Sequence, residues 1–197
     1  TNQFNQYLGD TQGNTLAGEN IYTMADDGEF LILGIHEGKL RKIHKRKNTV
    51  TDVNAPEIHY KIIRCITKLG NQLWVGTQSG IYILNEEGEV FRIYNDPMSN
   101  YSLSDNQVGK IYQDREGGVW VGTNAGGINY LSSSVLKFTR YIPLNRKETI
   151  SSKRVREIIE DNDQNIWIGT EDAGVNIFSP EKKTFKKLGR EISKDLT

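Results

Sequence analysis

A five-residue motif occurs three times in this chain at nearly constant spacing. It reads LWVGT at 73–77, VWVGT at 119–123 and IWIGT at 166–170, and the Trp positions are 46 and 47 residues apart. A weaker copy, LILG at 31–34, has Ile32 in the Trp place, 42 residues before Trp74. A repeat of this length is typical of arrays and propellers, in which each unit buries its apolar faces against its neighbours.

Other features accompany each copy of the motif in the same order. A short run with apolar residues three positions apart precedes it, and a Gly-containing turn with a second apolar run follows it. A run that starts with Phe closes the last three units. The runs are rich in Val, Ile, Trp, Tyr and Phe, and Gly, Asn and Asp separate them, as in short strands joined by hairpins. Four antiparallel strands in about 45 residues predict an all-β fold of about four β-propeller blades.

The spacing also predicts where the units begin and end. We expect a single propeller segment over 1–197, with blade 1 at 20–61, blade 2 at 62–107, blade 3 at 108–154 and blade 4 at 155–197. The run at 4–7 lies 17 residues before Ile21, the interval between a closing run and the next unit elsewhere, so 1–19 is predicted to hold an outer strand of a preceding blade and a linker. A surplus strand favours an arc of a larger ring. An open arc would expose two apolar blade faces, so we expect packing against other propeller blades or against a second copy of the chain, as a homodimer.

The third unit resembles a known repeat family. Its segments YNDP at 94–97, SLSDNQV at 102–108 and DREGGVWVGT at 114–123 are similar to the two-component regulator propeller repeat. The resemblance extends over essentially the whole chain and is weakest in the first unit, where Ile32 replaces Trp. In that family, such repeats build the periplasmic sensor region of hybrid two-component histidine kinases of Bacteroides-type gut bacteria. The resemblance implies a seven-bladed parent ring, a periplasmic location and a non-catalytic role in sensing released oligosaccharides to control glycan-utilisation genes.

Candidate ligand-binding residues follow from positions that differ between the units. Propellers usually bind ligands on loops around the channel mouth, next to the inner strands. The side chains there that carry donors suited to hydroxyl-rich or acidic sugars are Arg64, Asn106, Gln107, Arg154 and Arg156. Ordinary loop polarity is the alternative interpretation.

The repeated Trp and Gly residues are interpreted as structural. They are Trp74, Gly76, Trp120, Gly122, Trp167 and Gly169. An indole face could stack on a sugar ring, but recurrence at equivalent strand positions favours packing between blades. The DNDQN run at 161–165 is similar to the start of a calcium loop, yet its sixth position is Ile166 instead of Gly, so a hairpin turn is favoured.

No catalytic residue, metal site or cofactor is predicted. His36, His44 and His59 lie at no metal-ligand spacing, and Cys65 lies in an inner run where a small buried role is favoured over that of a nucleophile. The alternatives to a sensor are a protein-interaction scaffold and, less favoured, a propeller lyase or hydrolase. Such an enzyme would need carboxylates or His at the channel mouth, where the sequence offers mainly Arg, Asn and Gln.

Charge and hydropathy exclude two classes of partner for this segment. The 25 basic and 25 acidic residues give a net charge of zero, so no electrostatic argument favours nucleic acid or an anionic membrane. No apolar run approaches the roughly 18 residues of a membrane span.

Overall fold

The structure is a computed structural model that describes residues 15–133, 138–144 and 149–188. Within these residues, sixteen strands form four sheets of four antiparallel strands each, which confirms the predicted all-β blade architecture. The run at 4–7 that was predicted to be an outer strand lies outside the described residues.

The strands of each sheet are hydrogen-bonded in chain order, so every sheet is a simple meander. Blade 1 contains β1 (Ile21–Asp27), β2 (Phe30–Ile35), β3 (Lys39–His44) and β4 (Val50–Val53). Blade 2 contains β5 (Ile63–Leu69), β6 (Gln72–Thr77), β7 (Gly80–Leu84) and β8 (Val90–Ile93). Blade 3 contains β9 (Val108–Gln113), β10 (Val119–Thr123), β11 (Ile128–Leu131) and β12 (Phe138–Tyr141). Blade 4 contains β13 (Val155–Glu160), β14 (Ile166–Thr170), β15 (Val175–Ser179) and β16 (Thr184–Lys187). Two short 3₁₀ turns lie at His36–Gly38 and Pro56–Ile58.

The Thr that ends the repeated motif closes the hairpin between the second and third strands. Its hydroxyl donates to the carbonyl oxygen of the turn Gly at 2.6–2.9 Å in the pairs Thr77 and Gly80, Thr123 and Gly127, and Thr170 and Gly174. These three glycines have φ between 77° and 106°, a conformation that disfavours side chains. The motif therefore encodes its own turn.

Neighbouring blades pack face to face, and the Gly of the motif leaves no room for a side chain against the next blade. A Cβ atom on Gly76 would lie 2.8 Å from Val108 Cγ1, and one on Gly122 would lie 2.5 Å from Val155 Cγ1. We name the face that carries this Gly and the Trp the trailing face of a blade. The leading face carries the first and fourth residues of the inner strand, and it packs on the trailing face of the preceding blade.

Apolar clusters between the blades form the core. Trp74 packs in one cluster with Val108 and Ile111 of the next blade, and Trp120 packs in another with Val155 and Ile158. In blade 1, Ile32 takes the Trp place and belongs to the cluster shared with blade 2.

A buried apolar residue also precedes every inner strand by five positions. These wedge residues are Leu16, Ile58, Leu103 and Ile150. Each of the last three lies in the cluster between its own blade and the preceding one, and Leu16 packs on Leu33 and Ile35 of blade 1. The wedge anchors the segment that leads into each inner strand.

Candidate functional site at the mouth face

Each inner strand has a β-bulge at its second residue. The register shifts place Tyr22, Arg64, Gly109 and Arg156 outside the regular ladder. A bulge interrupts pairing and redirects a side chain, and bulges are common beside binding sites. The four positions carry three residue types, Tyr, Arg and Gly, at the same point of one repeated frame. We name the end of the molecule formed by the starts of the inner strands the mouth face.

The residue before each inner strand is held through its backbone. The carbonyl oxygen of Gln107 accepts the backbone N–H of Asn124 at 2.9 Å, and that of Arg154 accepts the N–H of Glu171 at 3.0 Å. Blades 1 and 2 form the same bond at Asn20 and Ile62. Because the backbone makes this bond, the side chain of the residue before the inner strand can vary without a change in the structure of the blade.

The five predicted binding residues differ in exposure and in contacts. Arg64, Arg154 and Arg156 are exposed, whereas Asn106 and Gln107 are half-buried. Arg156 is ion-paired with Glu171. The Oδ1 of Asn106 accepts the backbone N–H of Asn95 at 2.7 Å, a bond that holds the loop before blade 3.

A cleft of about 520 Å³ opens between blades 3 and 4 at the mouth face. Its lining residues are Asn124, Ala125, Pro143, Ser151, Ser152, Lys153, Arg154, Asp172 and Ala173. Of the predicted binding residues, Arg154 lines this cleft. The backbone carbonyl of Gln107 is hydrogen-bonded to Asn124, which also lines it. Two cationic side chains and one carboxylate give it donors and an acceptor for a polar ligand, and the cations favour an anionic one.

A buried Asn supports the wall of this cleft, and the sequence interpretation did not identify it. Asn176 of β15 is fully buried; its Oδ1 accepts the backbone N–H of Ser151 at 3.0 Å, and its Nδ2 donates to the Ser151 hydroxyl at 2.8 Å. Asn129 makes the same pair of bonds with Ser104 in blade 3, at 2.9 Å each. A polar residue two positions after the turn Gly, inside an apolar run, was the available signal.

A second cleft, of about 490 Å³, lies between blades 3 and 4 at the opposite end of the inner strands. Aromatic and acidic side chains line it, among them Trp120, Tyr130, Tyr141, Glu116 and Glu160. Burial, and then the negative charges of Asp114 and Glu116, raise the pKa of Tyr130. The Glu160 carboxylate is itself occupied, because it accepts the backbone N–H of Arg115 at 3.1 Å and the Tyr112 hydroxyl at 3.3 Å.

The carboxylate of Asp161 holds a hairpin. Its Oδ1 accepts the backbone N–H groups of Asp163 and Asn165, each at 2.9 Å, and its Oδ2 accepts the indole N–H of Trp167 at 2.7 Å. The Trp167 bond is the main reason that the pKa of Asp161 is lowered, and the bonds from Asn165 and Asp163 add to it. Asp114 binds the indole N–H of Trp120 in the same way at 2.8 Å. These contacts are those of a turn.

The remaining candidate groups for chemistry lie apart from one another. Burial raises the pKa of the Cys65 thiol to about 12, so the thiolate is disfavoured at neutral pH. Across 15–133, 138–144 and 149–188, no three His, Cys, Asp or Glu side chains come close enough to share a metal ion. In the same ranges, no helix has the length and apolar character needed to cross a bilayer.

Two segments of the chain match a known family. Residues 102–125 and 149–172 match the two-component regulator propeller. Each matched segment starts just before its wedge residue, Leu103 or Ile150, and continues through the inner strand to the Trp motif. No curated protein matches the chain.

Solved structures share the fold. The extracellular domain of the hybrid two-component system BT3049 from B. thetaiotaomicron is 22% identical, with a TM-score of 0.70 over 86% of this chain. An auxiliary nutrient binding protein from Bacteroides thetaiotaomicron is 13% identical, with a TM-score of 0.63 over 92% of this chain and 47% of its own. Virginiamycin B lyase from Staphylococcus aureus is 14% identical, with a TM-score of 0.62 over 88% of this chain and 57% of its own. The chain spans 24% of the BT3049 domain.

Proposed function

We propose that this chain is a non-catalytic segment of the extracytoplasmic, periplasmic sensor region of a hybrid two-component histidine kinase. The observation that carries the proposal is the pair of two-component regulator propeller repeats at 102–125 and 149–172. The fold shared with the extracellular domain of BT3049, at a TM-score of 0.70, supports it. In this role, the segment reports a ligand outside the membrane to kinase domains inside.

The ligand class that fits the mouth face is an oligosaccharide that carries carboxylate or sulfate groups. Lys153 and Arg154 are exposed at the cleft and supply charged donors. Arg presents a planar fork of N–H groups that matches a carboxylate or sulfate, and Asp172 can accept hydrogen bonds from sugar hydroxyls. These charged groups make the cleft better suited to a polar ligand than to an apolar one.

The test is titration calorimetry of the chain with uronic-acid, sulfated and neutral oligosaccharides. We expect saturable binding of an acidic oligosaccharide, and we expect Arg154→Ala to weaken it by about tenfold or more, the effect of removing a charged hydrogen bond. Lys186→Ala is the matched control, because Lys186 is exposed on the outer strand of the same blade and should leave the affinity unchanged. Equal affinity in Arg154→Ala and in the unchanged chain would contradict the proposed site.

The same samples separate the sensor from its alternatives. A bound oligosaccharide recovered unchanged supports a sensor, whereas cleaved or unsaturated products detected by mass spectrometry would favour a lyase or hydrolase. Absence of binding to every acidic and neutral oligosaccharide would contradict direct sensing and favour a protein-interaction scaffold.

A further inference from the structure

The cleft between blades 3 and 4 at the end opposite the mouth face has a lining that the proposed function does not use. Its volume is about 490 Å³, and five carboxylates and one cation, Lys183, are among the described residues that line it. The carboxylates are those of Asp114, Glu116, Glu160, Asp163 and Glu181. The mouth cleft has the reverse balance, with two cations and one carboxylate. The charge of this second cleft therefore favours a cationic ligand over an anionic one.

Glu160, the last residue of β13, carries the buried carboxylate of this cleft, since its side chain is only 3% exposed. The Tyr112 hydroxyl and the backbone N–H of Arg115 both donate to its Oε2, and the Arg115 Nε lies 4.0 Å from the same oxygen. Its Oε1 accepts no hydrogen bond from any residue that the structure describes.

The Oε1 atom of Glu160 is open to the cleft. Every fully enclosed side-chain N or O atom in the described part of the chain has a hydrogen-bond partner, so an oxygen without one is in contact with the space that Glu160 lines. A carboxylate removed from water is costly unless hydrogen-bond donors and an opposite charge compensate it. The nearest guanidinium, that of Arg115, is half-exposed and lies beside the other oxygen. A charged donor at Oε1 would therefore stabilise this group.

Aromatic side chains form the apolar part of the cleft. The ring of Trp120 lies beside those of Tyr130, Tyr141 and Phe178, with centroids 4.4 to 6.1 Å apart. Trp120 and Phe178 are buried, whereas Tyr130 and Tyr141 are half-buried and line the cleft. Aromatic rings pack on alkyl chains and also attract cations. The lining thus combines a surface for an alkyl chain with acceptors for a positive charge.

We propose that this cleft binds a primary alkylammonium group, either of a free diamine or of a lysine side chain. The ammonium N–H groups donate to Oε1 of Glu160, and the alkyl chain packs on Tyr130 and Tyr141. A primary ammonium supplies both the charge and the donors that Oε1 lacks, whereas a quaternary ammonium supplies charge alone. The exposed carboxylates of Glu116, Asp163 and Glu181 attract a second positive charge, which a diamine carries. The proposal does not rest on ligand binding at the mouth face.

The indole N–H resonances of the full chain, assigned by triple-resonance NMR, measure binding. The chain has three Trp residues; the indole N–H of Trp120 donates to Asp114 at the cleft, whereas Trp74 lies in β6 of blade 2. We expect 1,5-diaminopentane to shift the Trp120 resonance saturably and to leave that of Trp74 in place. The neutral probe 1,5-pentanediol has the same chain length and should bind about tenfold more weakly or less.

Two peptides separate the sources of the ammonium group. An acetylated and amidated Gly-Lys-Gly peptide presents the lysine side chain alone, and the same peptide with norleucine in the central place lacks the charge. Saturable binding of the lysine peptide assigns the site to a protein partner, and binding of the diamine without the lysine peptide assigns it to a free amine. Absence of binding by both would overturn the proposal, as would equal binding of 1,5-diaminopentane and 1,5-pentanediol.

Substitutions locate the site. Glu160→Gln keeps the size of the side chain and removes its charge, so it should raise the dissociation constant of 1,5-diaminopentane by about tenfold or more. Glu157→Gln is the matched control on the same strand, because the Glu157 carboxylate pairs with Lys110 at 2.8 Å and should leave the affinity unchanged. Equal affinities in these two variants would contradict the proposal.

A second pair of variants keeps the test independent of the buried bonds and of the mouth face. Glu116→Gln changes an exposed residue of the cleft and should weaken diamine binding by about twofold. Arg154→Ala, at the mouth cleft, should leave diamine binding unchanged, so a failure of one site is distinguishable from a failure of the other. Circular dichroism establishes that each variant is folded. Diamine binding that Arg154→Ala weakens and Glu116→Gln does not would place the ligand at the mouth face and overturn the proposal.

Discussion

A carboxylate and an indole N–H form the same pair in two consecutive blades. Asp114 binds Trp120 and Asp161 binds Trp167, with oxygen-to-nitrogen distances of 2.8 and 2.7 Å. The Asp begins the first hairpin of the blade, and its other oxygen accepts backbone N–H groups of the turn. One Asp side chain therefore binds both the turn and the indole of its blade.

Replacement of Asp161 by Asn should destabilise the fold in a pH-dependent manner. The Trp167 bond, followed by those from Asn165 and Asp163, lowers the pKa of Asp161 in the folded state. A group with a lowered folded pKa contributes stability above its unfolded pKa of about 3.9, and that contribution is lost as the pH falls through the folded value. The melting temperature of Asp161→Asn should therefore be below that of the unchanged chain at neutral pH, and the gap should narrow in acid.

Differential scanning calorimetry from about pH 7 to about pH 3 measures this gap. Asp163→Asn is the matched control, because Asp163 is an exposed residue of the same hairpin that donates only its backbone N–H to Asp161. If the difference in melting temperature between Asp161→Asn and the unchanged chain stayed constant with pH, the charge of the carboxylate would not be what stabilises the turn.

At the scale of the element, the segment that leads into each inner strand is fastened at several points. Before β9, Leu103 is buried between blades, Ser104 is bound to Asn129, and Asn106 is bound to Asn95. Arg140 of the outer strand donates to the carbonyl oxygens of Ser99 and Ser102, both at 3.0 Å. The segment contains no regular secondary structure of its own, so these contacts give it a single conformation and fix the mouth face that it borders.

A double-mutant cycle measures the hydrogen bond that the Nδ2 of Asn129 donates to the hydroxyl of Ser104. Asn129→Ala leaves the backbone N–H of Ser104 without its acceptor in a buried place, which costs about 1–3 kcal/mol in the free energy of unfolding. The double variant with Ser104→Ala should lose less than the sum of the single losses, with a coupling of about 0.5 kcal/mol or more. Denaturant unfolding gives each value. The comparison cycle of Ser104→Ala with Asn176→Ala, in different blades, should be additive, and coupling there as large as with Asn129 would contradict the assignment.

For the molecule as a whole, the main contacts between blades in the described residues join neighbours in chain order. The inner strands β1, β5, β9 and β13 lie side by side, and the apolar clusters each involve one pair of adjacent blades or one face of blade 1. Stability in such an array is approximately the sum of the blade and interface contributions. A substitution inside an interface should therefore cost more than the equivalent one at an uncovered face.

Two wedge residues provide this comparison. Leu103→Ala removes a fully buried side chain between blades 2 and 3, and we expect a loss of about 2–5 kcal/mol in the free energy of unfolding. Leu16→Ala removes the same atoms from the leading face of blade 1, where the cluster contains residues of blade 1 alone. The loss for Leu16→Ala in the free energy of unfolding, measured by denaturant unfolding, should be clearly smaller. Equal losses would contradict the nearest-neighbour description.

Much of the architecture could be predicted from the repeat, because strand alternation and turn residues are local properties that recur in each unit. Ile32 illustrates this, because its place in the repeat predicted that it lies in a strand although the other units have Trp there. In the structure, Ile32 lies in β2 and belongs to the apolar cluster shared with blade 2. The candidate site was less accessible. Arg154 lines a cleft, but the side-chain oxygen of Asn106 accepts the backbone N–H of Asn95. Nothing in the sequence around Asn106 distinguishes a residue that stabilises a loop from one that binds a ligand.

The sequence by itself determined the strands, their meander order and the residues that recur, because alternation, turn chemistry and spacing act between residues that are near in the chain. Only the tertiary structure decided which face of each blade packs on which neighbour, where the bulges place Arg64 and Arg156, and that Asn129 and Asn176 bind serines 25 residues before them. These properties depend on contacts between segments far apart in sequence, and no local pattern specifies such contacts.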